Sequence, residues 1–268
     1  MSYMANWGAL SRAERDAAYN NTEAVSDSAV LNAARAEGVG CFVVPGVEVA
    51  GFPGLAALAA RHPEVCPAYG IHPLYVDRAI DGDLKALEDW VVRPGTVAVG
   101  EIGLDGFVPD LPREAMECFF VEQLRMAERH GLPVILHVRR AVEEIIRILR
   151  RHHLPGGIAH AFNGSRQQAD TLIGMGFALG FGGAMSFEGS RRIRQLASSL
   201  PLEAIVLETD APDMAPEWAR GGRNEPRNLR RLANILAGLR GISVEEVIAT
   251  TTRNAQRVLP GITRVVVS

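Results

Sequence analysis

The chain has 268 residues, 47% of them hydrophobic, which excludes a disordered polymer and suits one large α/β barrel or two small domains. A net charge of −3 excludes nucleic-acid binding through overall charge, though not through local arginine clusters. No apolar run has the length of a membrane span and the start lacks a signal peptide's basic-then-apolar layout, so a cytoplasmic protein that does not touch membrane is expected. Cys41, Cys66 and Cys118 form no C-x-x-C pair and sit in apolar contexts, as reduced core thiols do.

Residues 1–30 carry little pattern. Ser2 to Leu10 is a short, broken candidate for a first strand, and Ser11 to Tyr19 a candidate helix. From Asp27 the pattern sharpens. Ala29 to Glu37 reads as a helix stopped by Gly38, and Cys41 to Val44 as a buried strand. Leu55 to Arg61 is helical, and Val65 to Tyr69 is a strand ending in Gly70-Ile71-His72-Pro73. After a helix over Leu84 to Val91, Val97-Ala98-Val99 is a strand buried on both faces that ends on Glu101, with Gly103 turning the chain away. Arg113 to His130 is amphipathic, with Met116, Phe120, Leu124 and Ala127 on one face.

The alternation continues to the C-terminus. Pro133 to His137 is a strand, followed by a helix over Ala141–Arg151. Gly157 to His160 is a strand, and Ser165 caps the helix after it. Phe177 to Gly182 is a strand, Arg191 to Leu196 a helix, and Ala204 to Asp210 the last strand. Leu229 to Leu239 is helical, and Ser243-Val244-Glu245-Glu246 opens the final helix as a capping box. Seven clear strands and one weak one alternate with helices, so the expected fold is α/β, a TIM (β/α)₈ barrel with an atypical or degraded first strand, in one domain over residues 1–268. A doubly wound sheet would want a glycine-rich phosphate fingerprint after an early strand, and none is present.

Four strands end in residues that ligate metals: Glu101, His137, His160 and Asp210. Strand ends of a (β/α)₈ barrel converge on one mouth. Two imidazoles and two carboxylates there suit a divalent cation, Mg, Mn or Zn, as one ion or two. Such a cation acidifies water, and a neighbouring carboxylate can take the proton; Asp210 and Glu101 are the candidate catalytic carboxylates. The rim supplies candidate substrate contacts: Arg139 two residues past His137, His72 on its own strand-end loop, and Arg223 with Asn224 beyond the Asp210 loop. Arginines beside a metal favour a phosphate or carboxylate substrate. Amide, ester and phosphodiester bonds all remain open on these residues alone.

Gly70 to Pro73, Gly100 to Asp105, the Leu132 to Arg139 stretch, His160 to Gly164, Glu208 to Pro212 and Arg223 to Pro226 occur in the order seen in the TatD family of metal-dependent deoxyribonucleases. The resemblance runs from about Val39 to the C-terminus. It implies a barrel that holds one or two divalent cations and hydrolyses DNA, often from a 3′ end, with single strands or 3′ ends as substrate; a monomer is expected separately, because no long apolar edge or exposed stripe is obvious. It implies that Glu101, His137, His160 and Asp210 are the ligands, and that His72 and Arg139 contact phosphate. One departure stands out. The family opens with a His-x-His pair on its first strand, whereas the first histidine here is His62. Two alternatives therefore accompany the nuclease reading: a barrel that binds without catalysis, and a small-molecule esterase or amidohydrolase.

Overall fold

The computed structural model describes residues 26–262. The weak first strand and helix expected before Asp27 lie outside them. Sixteen elements follow: α1 (Asp27–Ala36), β1 (Phe42–Pro45), α2 (Phe52–Arg61), β2 (Val65–Tyr69), α3 (Asp83–Val91), β3 (Ala98–Gly103), α4 (Arg113–His130) and β4 (Val134–His137). Then come α5 (Val142–Leu149), β5 (Gly157–His160), α6 (Arg166–Gly174), β6 (Phe177–Phe181), α7 (Arg191–Ser199), β7 (Ile205–Leu207), α8 (Leu229–Arg240) and α9 (Val244–Val258). The strands form one sheet in the order β1-β2-β3-β4-β5-β6-β7, every neighbouring pair parallel. This is the expected barrel-type α/β architecture, seen here through its seven clear strands.

The pleat sorts side chains into two layers. Val65, Tyr69, Val99, Val134, Leu136, Phe177, Leu179 and Ile205 face the helices and join one large core. Small or branched residues face the inside: Cys66, Ala68, Ala98, Ile135, Ala178 and Val206, closed at one end by Val258 of α9 and by Leu259 just past it. That alternation carries His137 and His160 inward, because each lies two residues past an inward-facing isoleucine, Ile135 and Ile158. It would turn Glu101 outward. A register shift between Val99 and Ile102 prevents this: the extra residue lets Ile102 return to the helix layer while Glu101 faces the interior.

Two expectations are corrected. The last strand stops at Leu207, not Asp210. Glu208 makes the last link to β6, its N–H donating to the Phe181 carbonyl at 3.2 Å while its carboxylate accepts from the Ala161 N–H, and Asp210 sits in the left-handed region at φ 58°, off the strand path. Cys118 is exposed rather than in the core. It lies two residues, about 200° of helix, from buried Met116, on the opposite face of α4.

Helix α4 also fixes a site loop. Gln123 is 1% exposed; its Oε1 accepts from the Ile71 N–H at 2.7 Å and its Nε2 donates to the Ile71 carbonyl at 3.1 Å. The residue after Ile71 is His72. Gln123→Leu would strand both backbone groups and is expected to lower unfolding free energy by about 1–3 kcal/mol in urea titration. An unchanged midpoint would show that the clamp is dispensable.

Candidate metal centre

The strand ends open into a cavity of about 1810 Å³ lined by Glu101, His137, His160 and Asp210 together with His72 and Arg139. His137 and His160 are register partners on β4 and β5, so their rings lie side by side on one face. Each ring is held by a carboxylate that sequence reasoning gave no role.

For His137 the holder is Asp105, whose Oδ2 lies 2.8 Å from Nε2. Asp105 is itself fixed: its Oδ1 accepts from the Phe107 and Val108 N–H groups at 2.7 and 2.9 Å. In the neutral ring the His137 proton therefore sits on Nε2, with Nδ1 toward Glu101 Oε1, 3.0 Å away; the protonated ring donates to both carboxylates. For His160 the holder is Glu208, with Oε2 2.8 Å from Nδ1 and Oε1 accepting from the Ala161 N–H at 2.7 Å. That leaves Nε2 facing Asp210 Oδ1 at 3.2 Å. A carboxylate behind each imidazole is the arrangement that orients metal-binding histidines. Gly180 makes the second one possible, since a Cβ there would lie 2.0 Å from Glu208 Oε2.

His72 Nε2, Glu101 Oε1 and His137 Nδ1 also crowd together, at 3.1 Å between the rings and 3.5 Å from His72 to the carboxylate. These three could hold a cation by distance alone. The tautomer of His72 decides its part. The Leu74 N–H donates to His72 Nδ1 at 3.1 Å, so the proton of the neutral ring is on Nε2. Burial, reinforced by the charge of His137, keeps the ring neutral by lowering its pKa. His72 thus directs an N–H at His137 Nδ1 and Glu101, and acts here as a donor rather than a ligand.

Charge in the site follows from these pairings. Burial pulls the His137 pKa down, but hydrogen bonds to Asp105 and Glu101 prevail and raise it to about 9. His160 is raised well above the ordinary value, because Glu208 and Asp210 outweigh its burial. Glu101 is held well below the carboxylate range: burial opposes this, and the positive charge of His160 leads the groups that overcome it.

The structure brings the four predicted ligands together as two pairs, Glu101 with His137 and His160 with Asp210, both on the cavity; His72 joins the first pair in a group compact enough for one ion, and this chemistry fits divalent cations of the Mg, Mn or Zn kind. Binding must displace protons from the imidazoles. Affinity is therefore expected to rise with pH, by about tenfold per unit for each proton displaced, and to level off for His137 above about pH 9. Competition with a fluorescent chelator from about pH 6.5 to 8.5 checks this; a flat profile would exclude these histidines as ligands.

The other predicted contacts separate. Arg139 lines the cavity with its guanidinium 3.7 Å over the Phe107 ring. Asn224 is fully buried, and its amide donates to the Thr209, Asp213 and Met214 carbonyls. That makes it a clamp on the Asp210 loop rather than a substrate contact. Arg223 is half-buried, with its Nε enclosed and unpaired among the described residues, and it does not line the main cavity.

The family described as TatD related DNase matches residues 16–260. The chain belongs to the TatD family. It is 36% identical over 231 residues to the uncharacterized metal-dependent hydrolase YjjV of Escherichia coli K12, across 85% of this chain and 89% of that one. The crystal structure of YjjV superposes with a TM-score of 0.84 at 35% identity, covering 87% of this chain and 92% of that chain. The 3′-5′ ssDNA/RNA exonuclease TatD of a Rahnella species is 29% identical, across 85% of this chain and 90% of that one. As a TatD family member the chain is a metal-dependent hydrolase with a TIM-barrel fold. No helix among the described residues is long and apolar enough to cross a membrane.

Proposed function

We propose that this hydrolase cleaves phosphodiester bonds of single-stranded DNA, working inward from a 3′ end. The observation that carries the reading is the placement of His72: its Nε2–H lies 3.1 Å from His137 Nδ1 and 3.5 Å from Glu101, so a cation held by those two groups would free this donor for an anion beside it. Arg139 lines the same cavity and adds a bidentate cationic contact. The Rahnella relative, whose name records a 3′-5′ ssDNA/RNA exonuclease, supports the substrate and the polarity.

When bound, a divalent cation supplies Lewis acidity at the phosphate. Glu101, His137, His160 and Asp210 would hold it. The chain's own groups do the rest. His72 and Arg139 hold the non-bridging oxygens, so the phosphorus is presented in one orientation. Asp210 stands at the mouth, its carboxylate partly open to the cavity, and takes the proton from the attacking water. Asp105 and Glu208 keep the imidazoles from rotating while charge changes around them.

The test is a gel assay on 3′-labelled single-stranded DNA with Mg²⁺, Mn²⁺ or Zn²⁺ added, and Asp210→Ala as control. Metal-dependent release of label that Asp210→Ala reduces at least about a hundredfold supports the reading. Intact DNA under every cation, or an Asp210→Ala protein with full activity, overturns it.

A further inference from the structure

We propose that Arg140, stacked on Phe107 beside Arg139, forms a second phosphate subsite that holds the backbone phosphate next to the one bound by His72 and Arg139. The inference rests on the nuclease reading and extends it from one phosphate to a strand. The Arg139 and Arg140 guanidinium carbons lie 3.7 and 4.5 Å from the centre of the Phe107 ring. All three residues line the site cavity. Among the described residues neither guanidinium has a hydrogen bond or an ion pair with a carboxylate.

Two adjacent arginines without an anion repel one another, and a fold does not gather them without a compensating ligand or surface. Here the aromatic ring supplies the surface and leaves the N–H edges for a ligand. Asp105, the carboxylate whose charge reaches Arg139, is committed to His137 and to two backbone N–H groups. The arrangement is built into the backbone. Gly106 N–H donates to the Arg139 carbonyl at 2.8 Å, and a Cβ on Gly106 would lie 2.6 Å from the Arg140 oxygen, so only glycine lets the two loops meet. Arg140 itself is held at φ 52°, a left-handed conformation that costs a non-glycine residue about 1 kcal/mol or more. Asp105 links this cluster directly to His137, which sets the subsite beside the reacting phosphate.

Planar guanidiniums match phosphate bidentately, and phosphate contacts position a strand without reading its sequence. The occupant is therefore a single-stranded polynucleotide of any sequence. The experiment measures fluorescence anisotropy of a labelled oligothymidine phosphorothioate, which resists cleavage, on the full chain as purified. Affinity is followed between about 50 and 200 mM NaCl. Arg140→Gln is expected to weaken binding about tenfold and to flatten the slope of log K against log salt by about 0.7. Phe107→Leu keeps both charges and is expected to weaken binding with the slope unchanged. Arg147→Gln, on the outer face of α5 and paired with Glu117, is the control that moves neither. If Arg140→Gln retains both affinity and slope while the wild type still degrades 3′-labelled DNA, the subsite is wrong and the nuclease reading stands. If the wild type neither binds nor degrades the strand, both are overturned.

Discussion

Glu101→Gln is expected to lower phosphodiester turnover at least about a hundredfold while the chain stays folded. The Glu101 carboxylate is buried and lies 3.0 Å from His137 Nδ1 and 3.5 Å from His72 Nε2. Only the surrounding imidazoles keep it ionised there. Glutamine keeps the volume and removes the charge. Its amide is a weak ligand for a divalent cation, and its NH₂ can occupy the lone pair of His137. Metal content by elemental analysis should fall together with kcat/KM, and the circular dichroism melt should show a folded protein. A variant with wild-type metal content and turnover would remove Glu101 from the centre.

The second large effect is expected away from the ligands. Asp105→Asn should reduce metal affinity about 10- to 100-fold, although Asp105 faces His137 from behind. Its hydrogen bond is the strongest of the influences that raise the His137 pKa to about 9. Asparagine can still accept from the Phe107 and Val108 N–H groups, so the loop should persist. The ring, however, loses the charge that fixes its proton on Nε2. The His137 pKa should therefore drop, visible in an NMR titration of the imidazole. The sign is definite: with a lower pKa, the pH at which metal affinity levels off moves down as affinity itself falls. An unchanged titration with unchanged affinity would mean that Asp105 serves only the loop.

These two residues show what the sequence made legible. Seven strands could be read because strands of a parallel sheet are buried on both faces and appear as continuous apolar runs, as in Val65–Tyr69 and Phe177–Phe181. Their ends could be read too, because a polar residue closing such a run is conspicuous; this marked Glu101, His137 and His160. Partnership could not be read, since it depends on which side chains meet across the sheet. Asp105 and Glu208 meet rings on other strands, 32 and 48 residues away in sequence. The alternation Glu208-x-Asp210 did hold a signal, because two carboxylates at that spacing point the same way in an extended segment.

Other features depend on conformation that composition does not encode. The bulge that turns Glu101 inward exists only as a register between β3 and β4. The direction of the His72 proton depends on one backbone N–H, from Leu74. Asn224 had the chemistry of a substrate contact but lies where the Asp210 loop needs its carbonyls paired. The absent His-x-His pair is fully legible in the sequence; what the structure adds is that His137 and His160 are each oriented by their own carboxylate, with Glu101 and Asp210 against their other nitrogens.

The most direct test of that capacity is anomalous diffraction from crystals grown with Mn²⁺. The account predicts a peak within coordination distance, about 2.0–2.2 Å, of His137 Nδ1 and a Glu101 oxygen, with His160 Nε2 and Asp210 facing the same ion or a second one. No peak in the cavity, or one bound through His72 with His137 turned away, would contradict it.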